Sequence, residues 1–364
     1  MRNRIAEMVI DEITLSNDIL ATGGNSFFYV NAYLWADIVW TASDDDAMYN
    51  DTYKSILQMN IVIDNIAQAK EGTDERKATV NAQTKINRAY YYLQLANLYG
   101  NGYQSPNAGQ DLALPLVLHA NPTMLPQRNT VKEVYGQVLA DLDEALKTAS
   151  LPDFGIDVIH PGKAAAFALL ARTYLYMGDY GKALTASDAA LNIRNTLLDY
   201  RTFSFNSDKW PEMGIRNKPF TLKDQQINPE NLFTRVCLDD SFIGNFAGTF
   251  NAGGDIEALY GAKDLRFVFS FGPGSGTIPP RHLYYQNGGQ HMQFNYRLGV
   301  PEMMLVKAEC LARKGDDAGA VALVYRFRDA DYTALDTSGT DALSLVLDER
   351  RRELYMHGGG ACLT

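Results

Sequence analysis

Cysteine is scarce in this chain of 364 residues: Cys237, Cys310 and Cys362 are far apart and odd in number, which argues against a disulfide framework and against zinc-ligand spacing. Cys310 lies within an apolar helical pattern and is expected to be a small core residue. No run of about 18 apolar residues is present to span a bilayer. Positive charge is also short. Against 43 acidic side chains stand 33 basic ones, a formal net charge of -10, which excludes the basic surface that releases counterions from nucleic acid. Met1 to Arg4 runs into Glu7, Asp11 and Glu12 rather than into an apolar stretch, so no signal peptide is expected and, taken literally, the chain is cytoplasmic. Signatures of chemistry are missing as well. There is no GxSxG and no HExxH, and Gly162-Lys163 fails the phosphate-loop pattern because Asp157 stands where its first glycine belongs and Ala164 follows the lysine. GPGSG at 272–276 opens no helix and reads as a turn. No cofactor and no metal site is expected; the acidic run Asp44 to Asp46 lacks the glycine and terminal glutamate of a calcium loop and reads as a solvated helix start.

What is present in excess is aromatic surface, with 21 Tyr, 16 Phe and 3 Trp. Hydrophobic residues make up 46% and charged residues 21%, an ordinary globular balance with enough apolar matter for a large core. Residues 162–193 are the organising stretch: small and large side chains at Ala171, Tyr174, Gly178, Tyr180, Ala183, Ser187 and Ala190 have the spacing of a tetratricopeptide hairpin. Gly178 closes the first helix and Asp179 caps the second. The spacing returns at Ala308, Leu311, Gly315, Ala320, Val324 and Phe327, an internal repeat. Such hairpins cannot bury their apolar faces alone, so the expected fold is mainly α, a scaffold of tetratricopeptide-like helical repeats carrying a large irregular loop-rich insertion.

Other helices are expected from about Tyr49 to Ala69, over 79–99, from Val131 with Thr130 and Glu133 as a capping box, and over 341–356. Tyr90, Tyr91 and Tyr92 sit mid-helix and are expected to pack. Residues 5–40 show no clean period and are read loosely as helical pieces broken at Gly23-Gly24, and 101–129 reads as a long insertion. Arg350 falls on the apolar stripe of the last helix and needs a carboxylate partner in a structural ion pair, supplied by Glu353 or by an acid elsewhere. From 199 to 297 periodicity fades while Gly, Pro, Asn and aromatic residues rise, the mark of a functional surface. Flat rings in irregular segments, Trp40, Phe205, Trp210, Tyr284 and Tyr285, are the candidate ligand contacts, with Arg281, Asn287 and Gln290 as polar neighbours.

An ordered series of motifs gives these segments a family context. INRAYYYLQLANLYG with GNGY, then ALPLVLHANP, RNTVKEVYGQVLADLDEAL, GKAAAFALLARTYLYMGDYGKAL, NPENLF, LYGAKDLRF, YRLGVPEMMLVKAECLARKGD and DERRREL, over about 44–357, resemble the SusD/RagB family in kind and order. The resemblance implies a non-catalytic, surface-exposed outer-membrane lipoprotein that binds a glycan or oligosaccharide and hands it to a SusC-like TonB-dependent transporter. It also implies a membrane attachment only through a lipid anchor that this chain does not show. On this reading 1–364 is a single SusD-like domain, with repeat helices at 44–198 and 298–357, the ligand-face insertion at 199–297 joined by an amino-terminal loop, and an atypical tail at 358–364. Two other readings remain open on the residues alone: a cytoplasmic repeat scaffold for peptides, and a glycoside hydrolase, whose paired carboxylates roughly 5 to 9.5 Å apart cannot be picked from so many acids.

Overall fold

In the computed structural model the organising stretch folds as two antiparallel helices joined at Gly178. The structure describes residues 13–15, 27–40, 45–121, 123, 126–205, 215–216, 228–235, 250–252, 254–260, 264–273, 282–284, 296–331 and 339–355. Among them, in chain order, the helices are α1 (Phe27–Tyr33), α2 (Ala47–Asn65), α3 (Asp74–Tyr99), α4 (Val131–Leu146), α5 (Lys163–Tyr176), α6 (Tyr180–Ile193), α7 (Gly254–Leu259), α8 (Leu265–Ser270), α9 (Val300–Arg313), α10 (Asp317–Asp331) and α11 (Ala342–Leu354). Each of α2 to α5 packs on the next, α9 packs on α6, and α10 and α11 close against α9.

Helix ends follow local chemistry. Thr130 and Glu133 form the reciprocal capping box at α4, and Thr73 accepts from the Arg76 N–H at α3. That cap starts α3 at Asp74, earlier than its apolar period suggested, because Asp74 and Glu75 favour the positive end of the helix dipole. Asp46 likewise caps α2, which passes into a short 3-10 turn at Ile66–Gln68 instead of continuing to Ala69.

The internal repeat is reproduced bond for bond. Gly178 (φ +76°) and Gly315 (φ +85°) both take the left-handed conformation. At the first turn Gly178 N–H donates to Leu175 O and Asp179 N–H to Tyr174 O; at the second, Gly315 N–H donates to Ala312 O and Asp316 N–H to Leu311 O. Asp179 and Asp316 then cap the following helices at Lys182 and Gly319. The scaffold of tetratricopeptide-like hairpins is therefore the fold.

Helix α5 is surrounded: 11 of its 14 residues are buried, including Arg172. Arg172 reaches Glu302 on α9 through two bonds of 2.6 Å, a bidentate pair with both side chains inside the core. Burial alone would ease the proton off Arg172, and the Glu302 carboxylate more than reverses that. A second buried group ties the amino-terminal helices. Arg88 donates to Asp141 at 2.8 and 2.6 Å and to Asn60 Oδ1 at 2.9 Å. Tyr90 and Tyr92 are buried as expected, and Cys310 is buried in α9, where burial pushes its thiol up to about 12.

The stretch 101–129 is more than a loop. Strand β2 (Leu112–Pro115) pairs with β3 (Arg128–Thr130), and the residues after β2 are strapped across the helices. Tyr53 OH donates to Pro115 O (2.7 Å), Asn60 Nδ2 and Tyr92 OH to Val117 O (2.7 Å each), and the Ala120 N–H to Asp64 (2.8 Å).

Candidate functional site

Two regions outside the repeat helices hold the predicted site residues. The first follows α1. Leu34 N–H donates to Val30 O, Trp35 N–H to Ala32 O and Ala36 N–H to Asn31 O, and Asn31 Nδ2 donates to Val39 O at 3.2 Å. These bonds fold 34–40 into a turn that carries Trp35 at φ +53°, the one left-handed residue other than glycine among the described residues. A left-handed non-glycine residue costs roughly 1–2 kcal/mol. The ring gains little from burial in return, since Trp35 is 68% exposed, and its neighbours Leu34 and Ile38 are 57% and 71% exposed. Asp37, exposed between them, supplies a carboxylate. Trp40, predicted from sequence, closes the same segment and is half-buried.

Trp35, Asp37 and Ile38 were missed by the sequence reading because a tryptophan at a helix C′ position violates the glycine signal that marks such turns. The available signal was LWADIVW itself, two indoles five residues apart in a stretch without a helical period.

The second region is built from short strands within 199–297. Strand β1 (Ile13–Leu15) pairs antiparallel with β7 (Phe250–Ala252), so the amino-terminal stretch joins the middle block directly. β8 (Phe271–Pro273) pairs with β9 (His282–Tyr284), placing Tyr284 opposite Phe271, and β9 lies beside β7. β4 (Ser204–Phe205) pairs with β5 (Ile215–Arg216), setting Phe205 opposite Ile215. β6 (Asn231–Arg235) pairs with β10 (Tyr296–Gly299), which leads into α9; the ring of Phe233 on β6 meets Tyr90 of α3 edge-on at 5.3 Å. Trp210, Arg281, Tyr285, Asn287 and Gln290 lie outside the described residues, and of Phe205 and Tyr284 the structure describes the backbone. The structure thus brings the strand of Tyr284 to the layer that holds the amino-terminal strand.

An exposed indole and isoleucine with a carboxylate beside them can stack on the apolar face of a ring and accept hydrogen bonds from hydroxyls at its edge. No group of three or more His, Cys, Asp or Glu suited to a metal occurs among the described residues, and no helix there is long and apolar enough to cross a membrane.

Comparison with known proteins places this architecture. Residues 11–175 match a SusD-like family described as starch-binding and associating with the outer membrane. Over 158 residues the chain is 30% identical to SusD-like protein P2 of Formosa agariphila, a stretch covering 42% of this chain and 29% of that relative's length. The fold is shared with a SusD superfamily protein of Bacteroides thetaiotaomicron (TM-score 0.78, 19% identity, 99% of this chain and 82% of the other). It is shared too with a SusD-like carbohydrate-binding protein of Bacteroides vulgatus (TM-score 0.69, 19% identity, 98% and 75%). The sequence match to the SusD-like family is carried by the amino-terminal part of the chain, and the SusD-like fold is shared over nearly its whole length.

Proposed function

We propose that this protein binds a glycan or oligosaccharide without cleaving it, at the outer surface of the outer membrane, and delivers it to a SusC-like TonB-dependent transporter. The observation that carries the reading is the match of 11–175 to a starch-binding family associated with the outer membrane. The exposed turn at 34–40 supports it, because a strained backbone that holds an indole in solvent is explained by a ligand that covers the ring. In this reading the repeat helices are the frame. Trp35, Asp37, Ile38 and Trp40 contribute one part of the ligand face, and Phe205, Trp210, Arg281, Tyr284, Tyr285 and Asn287 of the 199–297 block contribute the other. Stacking on rings selects sugars by the apolar faces of their rings, and Asp37, Arg281 and Asn287 select by hydroxyl pattern.

Isothermal titration against a panel of neutral and acidic oligosaccharides tests the binding. Saturable heat with one glycan class, weakened in Trp35→Ala and Trp40→Ala, is expected, together with no reducing ends released from the bound glycan. Absence of binding across the panel, or release of product, overturns the proposal. Co-purification with a TonB-dependent transporter tests delivery separately.

A further inference from the structure

The stretch that carries the exposed turn is charged in one sense. Between Arg4 and Lys54 the chain holds no lysine or arginine and nine acidic side chains, so a ligand at the turn meets negative charge from the flanking sequence on both sides. The 199–297 block differs: it sets ten basic side chains against ten acidic ones and has no net charge to offset that excess.

The acids of the stretch are not equally placed to act. Asp46 caps α2 and accepts from Tyr99 OH at 2.6 Å, and Asp51 pairs with Lys54 at 3.0 Å, so both are engaged within the frame. Asp45 is exposed, accepts from the uncharged Asn50 side chain at 2.6 Å, and follows Trp40 by five residues. Five residues span at most about 18 Å. Asp37 is nearest of all, exposed within the turn, two positions from the Trp35 indole and beside Ile38. A carboxylate accepts hydrogen bonds from sugar hydroxyls and repels another anion. A ring stacked on Trp35 brings its edge within roughly 6 Å of Asp37, where one like charge in water lowers affinity about threefold. On the glycan-binding reading given above, we infer that the Trp35 turn takes an uncharged sugar unit and selects, by repulsion from Asp37 and its acidic surroundings, against glycans that carry uronate or sulfate groups.

The test uses the full chain and pairs of oligosaccharides matched in length and linkage, one neutral and one with its primary hydroxyls oxidised to carboxylates. In about 10 mM salt, where screening sets in only beyond roughly 30 Å, calorimetry should show the neutral member bound at least about threefold more tightly. At about 1 M salt, with a screening length near 3 Å, that ratio should shrink. Asp37→Asn should shrink it at low salt, and Asp37→Lys should reverse it. Equal or tighter binding of the oxidised member by the wild type overturns the inference and leaves glycan binding standing, with the choice then made by bases of the block such as Arg281. A ratio unchanged in Asp37→Lys overturns it too, because the discrimination would arise away from the turn. Absence of binding to both members of every pair overturns the glycan-binding reading and this inference together.

Discussion

Helices α5 and α9 end on Gly178 and Gly315, whereas α1 ends on Trp35, although the same pair of backbone hydrogen bonds closes all three turns. At the two repeat turns the residue suits the conformation, because glycine has no β-carbon to strain. At the third, a bulky side chain with a β-carbon occupies the same left-handed position and leaves an exposed indole in solvent. The repeat turns are built for stability and the α1 turn is built against it. Strain retained on a surface with no packing in return is what the proposed ligand contact at this turn accounts for.

The contrast is broken most forcefully from the frame side. Replacing Glu302 by Ala strips Arg172 of its bidentate carboxylate in the core and should cost about 3–5 kcal/mol in chemical denaturation, while Arg172→Met with Glu302→Leu should recover most of that loss. Next come the glycine turns. Gly315→Ala meets open space and should lose only the left-handed penalty, about 1 kcal/mol. Gly178→Ala should lose more, since its new β-carbon would stand 3.3 Å from Gln104 Cδ and Gln104 also donates to Tyr176 O. At Trp35 the sign should reverse. Trp35→Gly should raise stability by up to about 1 kcal/mol while weakening glycan binding about tenfold, the loss of one ring stack. A variant that is both less stable and unimpaired in binding would show that the turn is merely structural.

The smallest effect is on pH. Asp179 is held below the usual carboxylate range by its bond with Lys182, Asp341 by Ser344, and Asp64 by the Ala120 N–H. Groups with depressed values stabilise the fold above the unfolded carboxylate value of about 4, and that contribution fades as pH falls through their lower folded values. Melting temperature should therefore drop gently below about pH 4, and the gap between wild type and Asp179→Asn should close there. Trp35 carries no such group, so the Trp35→Gly difference should persist across the same range.

Local chemistry made much of the frame readable in advance. The Thr130–Glu133 box, the Gly178–Asp179 turn and its echo at Gly315 each depend on residues within a few positions of one another, and all stand as expected. Tertiary partners were not readable. Nothing near Val117 in the sequence announces that Asn60 and Tyr92 will hold it, and Arg350 faces Glu309 instead of its near neighbour Glu353 because the direction of a buried side chain is set by the helix packed opposite. In the 34–40 segment, Trp40 stood out as a candidate because an aromatic in an irregular stretch is conspicuous. Trp35 was hidden because its turn breaks the residue rule by which such turns are recognised.

The Arg172–Glu302 pair has a bearing on how such proteins diversify. It links residues 130 positions apart in sequence, one on each side of the 199–297 block, so the ends of that block are fixed by the frame and not by the block's own contents. With the ends pinned, doubling the length of the intervening segment would add only about 0.6 kcal/mol of closure entropy. The block can therefore be rewritten, lengthened or exchanged while the helices that flank it stay unchanged.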